Sequence, residues 1–282
     1  MNLLHLSDLH FGKPYLPQVG SALLAQAAAL KPDTIVISGD LTQRAKASEY
    51  AAARAFLDQL PTVPRVVVPG NHDVPLYRFW ERLLRPHALY RRYIAPELNV
   101  VHRTTEAVIV GLDSTEPYRA IKNGRLKRQQ LEFCEQAFAQ TTPDTLRIIA
   151  MHHHLIPAPT FARTRPMPDA KRTLETLTRL RVDLVLAGHL HRAYVGNSLD
   201  VYTGQQRDHG IIVVQCGTST SRRGRGLERE KNSFNQIELT ATQIRVVHYH
   251  YHDSRGEFSP VSCHTFARPG QITVAACGYP HD

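Results

Sequence analysis

The sequence has 282 residues, 42% of them hydrophobic and 21% charged, which is the composition of a globular protein with a full core. Its formal net charge of +9 favours an anionic substrate and leaves nucleic acid open as a partner, although solubility alone would also account for it. No apolar run reaches membrane-spanning length, and the N-terminus lacks a signal-peptide pattern. The four cysteines are widely spread without a CxxC pair, which favours reduced thiols in a cytoplasmic protein.

Short apolar runs alternate with helical stretches over the first two thirds of the chain. The predicted strands are Leu3–Leu6, Thr34–Ser38, Arg65–Val68, Ala107–Leu112, Leu146–Met151 and Asp183–Leu186. The predicted helices are Val19–Leu30, Ser48–Leu60, Leu76–Tyr93 with a break at Pro86, Arg125–Ala139 and Ala170–Leu180. This alternation predicts an α/β fold with a largely parallel sheet, in which sites form where the carboxyl ends of the strands converge.

The pattern changes after about Gly188, where strand-like runs follow one another without helices between them. These runs are Ile211–Gln215, Phe234–Leu239 and Ile244–His252. They predict a second, more antiparallel layer. We expect a single domain over residues 1–282, with a C-terminal tail from about residue 255.

Polar side chains follow five of the predicted strands, each where the strand ends. They are Asp8 and His10 in SDLH, Asp40 in GDLT, Asn71, His72 and Asp73 in PGNHD, His152, His153 and His154 in MHHHLIP, and His189 and His191 in GHLH. Each one alone is accounted for by a turn, a helix cap or an ordinary polar residue. Together they are expected to meet at one edge of one sheet, which predicts a functional site.

The predicted site offers carboxylate, imidazole and amide oxygen ligands and no thiolate. This set suits Mn, Fe, Zn, Co or Ni. Even seven of these side chains are too many ligands for one ion, and that number suits two divalent or mixed-valence ions that share a carboxylate. Two ions roughly 3.5–4 Å apart bind both the attacking and the leaving oxygen of a phosphoryl transfer.

The ordered motifs DLH, GDLT, GNHD, HHH and GHLH, between residues 8 and 191, resemble the calcineurin-like metallophosphoesterase superfamily. HLSDLH, PGNHD and HHHLIP are particularly similar to the bacterial class III 3′,5′-cyclic-nucleotide phosphodiesterases, which usually read HHHP where Leu155 follows the triplet here. The resemblance implies a four-layer αββα sandwich, with two mixed β-sheets flanked by helices. It also implies a metal-dependent phosphodiesterase that hydrolyses a small anionic diester, such as cAMP, by attack of a hydroxide that two metal ions activate.

The resemblance further implies a role for each motif residue. One ion would be bound by Asp8, His10 and His191, the other by Asn71, His152 and His189, with Asp40 bridging the two. His72 resembles the catalytic histidine of the family, which assists the leaving oxygen, and Asp73 would orient it. Strand alternation would turn His153 away from the site, while His154 would reach the mouth of the pocket and contact substrate.

Several substrates and one non-enzymatic role stay open. GNHD in place of GNRD speaks against a lipid pyrophosphatase, and the chain is short for a nuclease with a DNA-capping domain. The alternatives to a 3′,5′-cyclic nucleotide are a glycerophosphodiester, a 2′,3′-cyclic nucleotide and single-stranded DNA, so nucleic acid is a possible but less favoured partner. A metal-binding scaffold without activity is a further alternative.

Other motifs have two interpretations each. Arg222 and Arg223, with Arg225 and Arg229 in the same stretch, would either clamp a phosphate or lie in a solvated loop. The arginine-rich segment RFWERLLRPHALYRRY forms either an exposed helix face or a rim over the site, because it follows the GNHD loop. The segment HYHYHD contains His248, His250 and His252 at alternate positions. It would form either a rival metal site or a half-exposed edge of the second sheet, in which the tyrosines pack inward. Asp113 either lines the pocket or makes a turn.

Overall fold

The computed structural model describes residues 1–118, 122–158, 165–202, 208–224 and 231–270. These residues form two six-stranded sheets. The strands are β1 (Asn2–Leu6), β2 (Thr34–Ile37), β3 (Arg65–Val67), β4 (Val100–Arg103), β5 (Ala107–Leu112), β6 (Leu146–Met151), β7 (Leu184–Ala187), β8 (Tyr194–Asn197), β9 (Ile212–Gln215), β10 (Ser233–Leu239), β11 (Gln243–His252) and β12 (Glu257–Ala267). The helices are α1 (Pro17–Leu30), α2 (Ala47–Leu57), α3 (Phe79–Leu84), α4 (Ala88–Tyr93), α5 (Arg128–Phe138) and α6 (Ala170–Arg179).

Both sheets are mixed. The first has the order β12-β11-β10-β1-β2-β3, with β1, β2 and β3 parallel and β10 to β12 antiparallel. The second has the order β4-β5-β6-β7-β9-β8, in which β5, β6, β7 and β9 are parallel and the edge strands β4 and β8 run antiparallel. This confirms the expected α/β fold with two mixed sheets.

Alternating side chains divide each central strand between two hydrophobic clusters. In β1, Leu4 and Leu6 face the cluster that contains residues of α1 and α2, while Leu3 packs in a cluster shared by the two sheets. In β5, Val108 and Val110 pack with residues of α5 and α6. Since both faces of these strands are buried, the strands are continuously apolar in sequence. The result is four layers, helix–sheet–sheet–helix.

The strands after Gly188 do not form a separate antiparallel layer, so that prediction was wrong. β8 and β9 join the second sheet, whereas β10 pairs antiparallel with β1, as in the Leu4 to Gln236 register. β11, which carries HYHYHD, therefore lies inside the first sheet between β10 and β12, and not at an edge of the second. Pairing between segments more than 200 residues apart leaves no local trace in the sequence.

The segment from about residue 255 is also not simply a tail. β12 pairs antiparallel with β11 and forms the edge of the first sheet. Beyond it, Arg268 is buried, and its guanidinium donates to the Asp183 carboxylate at 3.1 Å and to the carbonyl oxygens of Pro143 and Asp144 at 2.9 and 2.7 Å. The remainder of the expected tail, 271–282, lies outside the described residues.

The predicted helix Leu76–Tyr93 is divided into the two short helices α3 and α4, which lie on either side of Pro86. The position of this break agrees with the sequence, because proline disfavours helix in the residue before it. Among the described residues, none of the helices is both long and apolar enough to cross a membrane.

We expect Arg268→Met to lower the free energy of unfolding by about 3 kcal/mol, because it leaves the Asp183 carboxylate buried without its cation. Urea unfolding would measure the change. Arg255→Met is the matched control, since Arg255 is exposed and its ion pair with Glu257 is 4.0 Å long. Equal stability of the two variants would contradict the anchoring role of Arg268.

Candidate metal centre

The predicted site residues meet in one cleft, but they come from both sheets. Asp8 and Asp40 follow β1 and β2 of the first sheet, whereas His152 and His189 follow β6 and β7 of the second. The two sheets touch across the cleft, since the His189 backbone N–H donates to Asp8 Oδ2 at 2.9 Å and His152 Nε2 lies 3.4 Å from Asp40 Oδ1. The expectation of one edge of one sheet was therefore wrong, while the expected gathering of the side chains is observed.

Several of these residues have left-handed backbone conformations. The φ angles of Asp8, His10, Asp40, His189 and His191 are +53°, +51°, +54°, +76° and +53°. This region costs an ordinary residue roughly 1–2 kcal/mol. Backbone hydrogen bonds between the loops hold the turns in place, for example from Asp8 N to Gly39 O and from His10 N to Asp40 O. Strain of this kind concentrates at functional sites.

One group of ligand atoms belongs to Asp8, His10, Asp40 and His191, and these atoms all lie within 4.8 Å of one another. Asp8 Oδ1 is 3.0 Å from His191 Nε2 and 3.5 Å from His10 Nε2. The other ring nitrogens donate to backbone carbonyls, His10 Nδ1 to Thr42 O and His191 Nδ1 to Arg223 O. A carbonyl only accepts, so each Nδ1 carries the hydrogen and each Nε2 presents its lone pair to the group, as in metal-ligating histidines.

A second group of ligand atoms surrounds the Asn71 side chain. Asn71 Oδ1 lies 3.1 Å from His152 Nε2 and 2.9 Å from His189 Nδ1. His152 Nδ1 donates to Ser38 O at 2.8 Å, which leaves Nε2 free to face Asn71 and Asp40. Asp40 therefore lies between the two groups, with Oδ1 near His152 and Oδ2 3.5 Å from His10.

The electrostatics of the cleft favour a cation. Burial alone would raise the pKa of Asp8 and Asp40, but the imidazoles around them hold both pKa values well below the ordinary range. Burial alone would lower the pKa of His152, and the charge of Asp40 instead raises it to about 9. Asp8 Oδ1 and Asp40 Oδ2 are buried and accept no hydrogen bond. Buried anionic oxygens beside imidazole nitrogens and an amide oxygen fit a divalent ion of borderline softness.

The histidine triplet differs from the prediction at its second residue. His153 does not point away: its ring centroid is 4.7 Å from that of His189, and His152, His153 and His189 have ligand atoms within 4.8 Å of one another. Ser114 Oγ lies 2.8 Å from His153 Nδ1, and a Cβ at Gly124 would overlap the His153 ring. The alternation fails here because the strand ends at Met151 and the triplet forms a bend.

His154 does not reach the mouth of the pocket either. It is only 4% exposed, and its ring stacks at 18° on that of His189, with the centroids 5.7 Å apart. We therefore assign His154 to packing against His189.

His72 lies beside the first group. Its ring is edge-on to His10 with centroids 4.9 Å apart, and its Nδ1 donates to Gln43 O at 2.8 Å. Its backbone N–H donates to Asp40 Oδ1 at 2.8 Å, which fixes the position of the residue relative to that carboxylate.

The expected pairing of Asp73 with His72 was wrong. The Asp73 carboxylate accepts hydrogen bonds from the backbone N–H groups of Leu41, Thr42 and Gly70, at 3.1, 2.8 and 2.9 Å. Burial, reinforced by the charge of Asp40, raises the pKa of Asp73 to about 7. Asp73 thus joins the loop after β2 to the loop after β3, and the Gln43 carbonyl orients His72.

Three residues that orient histidines through their carbonyl or hydroxyl oxygens were not predicted from the sequence: Gln43, Ser38 and Ser114. Any residue type offers a carbonyl, so Gln43 and Ser38 leave no signal in the sequence. Gln43 Oε1 also accepts from the Arg223 guanidinium at 2.9 Å, which places Arg223 beside His72.

Arg222, the other described arginine of this stretch, does not join the cleft. Arg222 is exposed and its backbone N–H donates to Pro14 O. Arg225 and Arg229 lie outside the described residues.

Two further candidates lie elsewhere. Asp113 makes a turn, because its Oδ1 accepts from the backbone N–H and the hydroxyl of Thr115. His248 and His250 lie side by side, with their Nε2 atoms 2.8 Å apart, but no group of three metal-ligating side chains occurs there among the described residues. Tyr249 packs inward, as expected.

The family model of the calcineurin-like phosphoesterases matches residues 1–193. The chain belongs to the calcineurin-like phosphoesterase family, and it is a metal-dependent phosphoester hydrolase.

The names of three curated relatives describe phosphodiesterases. A probable cyclic nucleotide phosphodiesterase of Synechococcus sp. is 27% identical over 72% of this chain and 79% of its own. A cAMP/cGMP dual specificity phosphodiesterase of Mycobacterium tuberculosis is 27% identical over 77% of this chain and 71% of its own. A glycerophosphodiester phosphodiesterase of Enterobacter lignolyticus is 34% identical, but over only 26% of this chain and 30% of its own.

Solved structures share the fold. A purple acid phosphatase from yellow lupin superposes with a TM-score of 0.68 at 13% identity, over 95% of this chain, which spans 54% of the lupin protein. A dimetal phosphatase from Danio rerio gives a TM-score of 0.63 at 12% identity, over 95% of this chain and 99% of its own. At these identities the likeness extends to the fold alone.

We expect Asp73→Ala to lower the free energy of unfolding by about 2 kcal/mol or more, because three buried N–H groups lose their acceptor. Chemical unfolding and metal analysis would show lower stability together with weaker metal binding. His72→Ala is the control, since it leaves these hydrogen bonds intact. A fully stable, metal-replete Asp73→Ala with only its turnover reduced would restore the pairing of Asp73 with His72.

Proposed function

We propose that the protein hydrolyses a small phosphodiester at a centre of two divalent metal ions, and that a 3′,5′-cyclic nucleotide such as cAMP is its substrate. The position of Asp40 carries the proposal, because its two carboxylate oxygens face two different groups of ligand atoms. The cyclic nucleotide phosphodiesterases among the relatives, which align over most of the chain, support the choice of substrate.

We assign one ion to Asp8, His10, Asp40 and His191 and the other to Asp40, Asn71, His152 and His189. Manganese, iron, zinc, cobalt and nickel all suit these ligands. When bound, the ions supply activation of water and neutralise the charge that develops on the phosphoryl group. The protein itself orients the imidazoles, through the carbonyl oxygens of Thr42, Ser38 and Arg223.

His72 moves the proton of the leaving oxygen in this proposal. Its Nδ1 is committed to Gln43 O, so Nε2 is the nitrogen that exchanges a proton with the substrate. The hydrogen bond from the His72 backbone to Asp40 holds the ring at a constant distance from the metal ligands.

Arg223 is the substrate-binding residue that we favour. Its guanidinium donates a hydrogen bond to Gln43 Oε1, which holds it in place. The pKa of His72 is lowered mainly by burial, and the nearby charge of Arg223 lowers it further. A guanidinium in this position binds a phosphate oxygen of the diester. Arg222 is exposed one residue away and serves at most to attract the anionic substrate.

A glycerophosphodiester is the second candidate substrate. The relative from Enterobacter lignolyticus supports it, although the aligned region covers 26% of this chain. Cyclic and acyclic diesters share the reacting phosphorus centre, so the metal ligands alone do not distinguish them.

We expect His72→Ala to keep its metal ions and its stability but to lose about 10²- to 10⁴-fold in kcat for a cyclic nucleotide, whose leaving oxygen needs a proton. The loss for bis(p-nitrophenyl) phosphate should be much smaller, because p-nitrophenolate leaves without protonation. Steady-state kinetics on both substrates measures the difference. The exposed His264→Ala is the matched control. Equal losses on the two substrates would contradict proton transfer by His72.

We expect Asp40→Ala to lose the second metal equivalent or both, because it removes the carboxylate that the two groups share. Metal analysis after dialysis would count the bound equivalents, with Asp58→Ala, at an exposed ion pair, as the control. Two equivalents retained in Asp40→Ala would show that Asp40 does not bridge.

A substrate panel with manganese-loaded protein tests the proposed function. It should include cAMP, cGMP, 2′,3′-cyclic AMP, glycerophosphocholine and single-stranded DNA. We expect the highest kcat/KM for a 3′,5′-cyclic nucleotide. A preference for glycerophosphocholine would favour the second candidate, and cleavage of DNA at physiological salt would favour a nuclease. Metal-replete protein that is inert towards every diester would indicate a scaffold.

A further inference from the structure

An apolar surface segment follows directly after the His72 loop. Among the described residues, ten large hydrophobic side chains are exposed, and six of them lie between residues 76 and 84. We call this segment the apolar rim: Leu76 (37% exposed), Tyr77 (71%), Phe79 (54%), Trp80 (71%), Leu83 (44%) and Leu84 (72%). α3, which contains most of it, has no buried residue. Single exposed hydrophobic residues are ordinary, but a contiguous patch marks an interaction surface.

The apolar rim is held in place by its own contacts. The Arg78 guanidinium donates to the carbonyl oxygens of Arg44 and Ala45, in the loop that follows Asp40. The Arg44 guanidinium lies over the Tyr77 ring, 4.8 Å from its centroid. Arg82 donates to Leu76 O at 2.7 Å and lies 5.6 Å from the centroid of the Phe79 ring. The exposed side chains are thus presented by an anchored segment beside the metal cleft.

The charge around the apolar rim is strongly positive. Residues 76–92 contain five arginines and a single acidic residue, Glu81, and Glu81 already pairs with Arg78. The partner must therefore combine apolar and anionic character. An anionic phospholipid membrane has both, because tryptophan and tyrosine settle at the level of the headgroups and arginines bind lipid phosphates.

A second copy of the chain fits this surface less well. A two-fold dimer brings the same patch of both copies together, so the arginines of one rim would face those of the other. The formal net charge of +9 on each chain adds to this repulsion. An anionic lipid surface removes the repulsion and attracts the same residues.

We propose that the apolar rim docks the protein on an anionic phospholipid surface, with Trp80 and Leu84 at the depth of the headgroups and the neighbouring arginines on lipid phosphates. The docking is peripheral, and it places the metal cleft next to the membrane. It rests on the surface residues alone and is independent of the substrate proposed above.

Trp80 is the only tryptophan of the sequence, so fluorescence excited selectively at tryptophan reports on the apolar rim alone. The probe is a set of phosphatidylcholine vesicles with and without phosphatidylglycerol. We expect the Trp80 emission to shift to the blue, and the protein to float with the vesicles, only when phosphatidylglycerol is present. Added salt should weaken the binding.

Two variants retain Trp80 and test the two parts of the surface. Leu83→Ser with Leu84→Ser removes apolar contact, and Arg85→Gln with Arg92→Gln removes the charge of two exposed arginines that do not anchor the apolar rim; each pair should weaken vesicle binding about tenfold or more. The matched controls are Val261→Ser, 45% exposed on β12, and Arg128→Gln on α5, which should bind like the unchanged protein. His72→Ala should also bind normally, so a failure of the proposed catalysis would not affect this result.

Three outcomes would overturn the proposal. One is a Trp80 emission that no vesicle changes. Another is equal binding to vesicles with and without phosphatidylglycerol. The third is evidence for a dimer in the absence of lipid. The Trp80 emission would then move to the red on dilution, and the double variant Leu83→Ser with Leu84→Ser would be a monomer. Both results together would show that a second copy of the chain covers the apolar rim.

Discussion

The buried negative charge of Asp40 is the constraint on which the arrangement of the cleft depends. Its carboxylate is almost fully buried, and it lies against His10 on one side and His152 on the other. A Cβ at Gly70 would overlap this carboxylate, so glycine is required there for the loops after β2 and β3 to close. An isolated buried carboxylate costs much free energy, and divalent cations bound by the neighbouring ligands would compensate its charge.

The backbone around this charge is strained, and the surrounding hydrogen bonds keep it so. Left-handed conformations at Asp8, His10 and Asp40 direct these side chains into the cleft. Asp73 holds two of the loops together through backbone N–H groups, and carbonyl oxygens set the tautomers of the histidines. The rigidity of two packed sheets offsets the cost, because the loops start from strands whose faces are both buried. The apolar rim continues from the same loops, so whatever binds it lies close to the cleft.

Much of the fold and the candidate site could be predicted because the evidence for it is local. Apolar runs such as Leu146–Met151 and Ala107–Leu112 form strands with the bounds that the sequence indicates. The break at Pro86 follows from the chemistry of proline. The polar residues at the strand ends were predicted to meet, and they do, because parallel strands bring their carboxyl ends to one end of each sheet and the two sheets touch at those ends.

The sequence by itself therefore determined the central strands and the longer helices, and most of the side chains that gather at the cleft, whereas the edge strands β4, β8 and β12 were not predicted. Only the tertiary structure decided how the strands divide between two sheets, because β1 pairs with β10 across most of the chain length. It also decided that His153 turns towards His189 and that Asp73 bonds to backbone in place of His72. These outcomes depend on contacts between distant segments, on backbone carbonyls that every residue carries, and on left-handed turns that aspartate and histidine adopt only when the surrounding structure holds them.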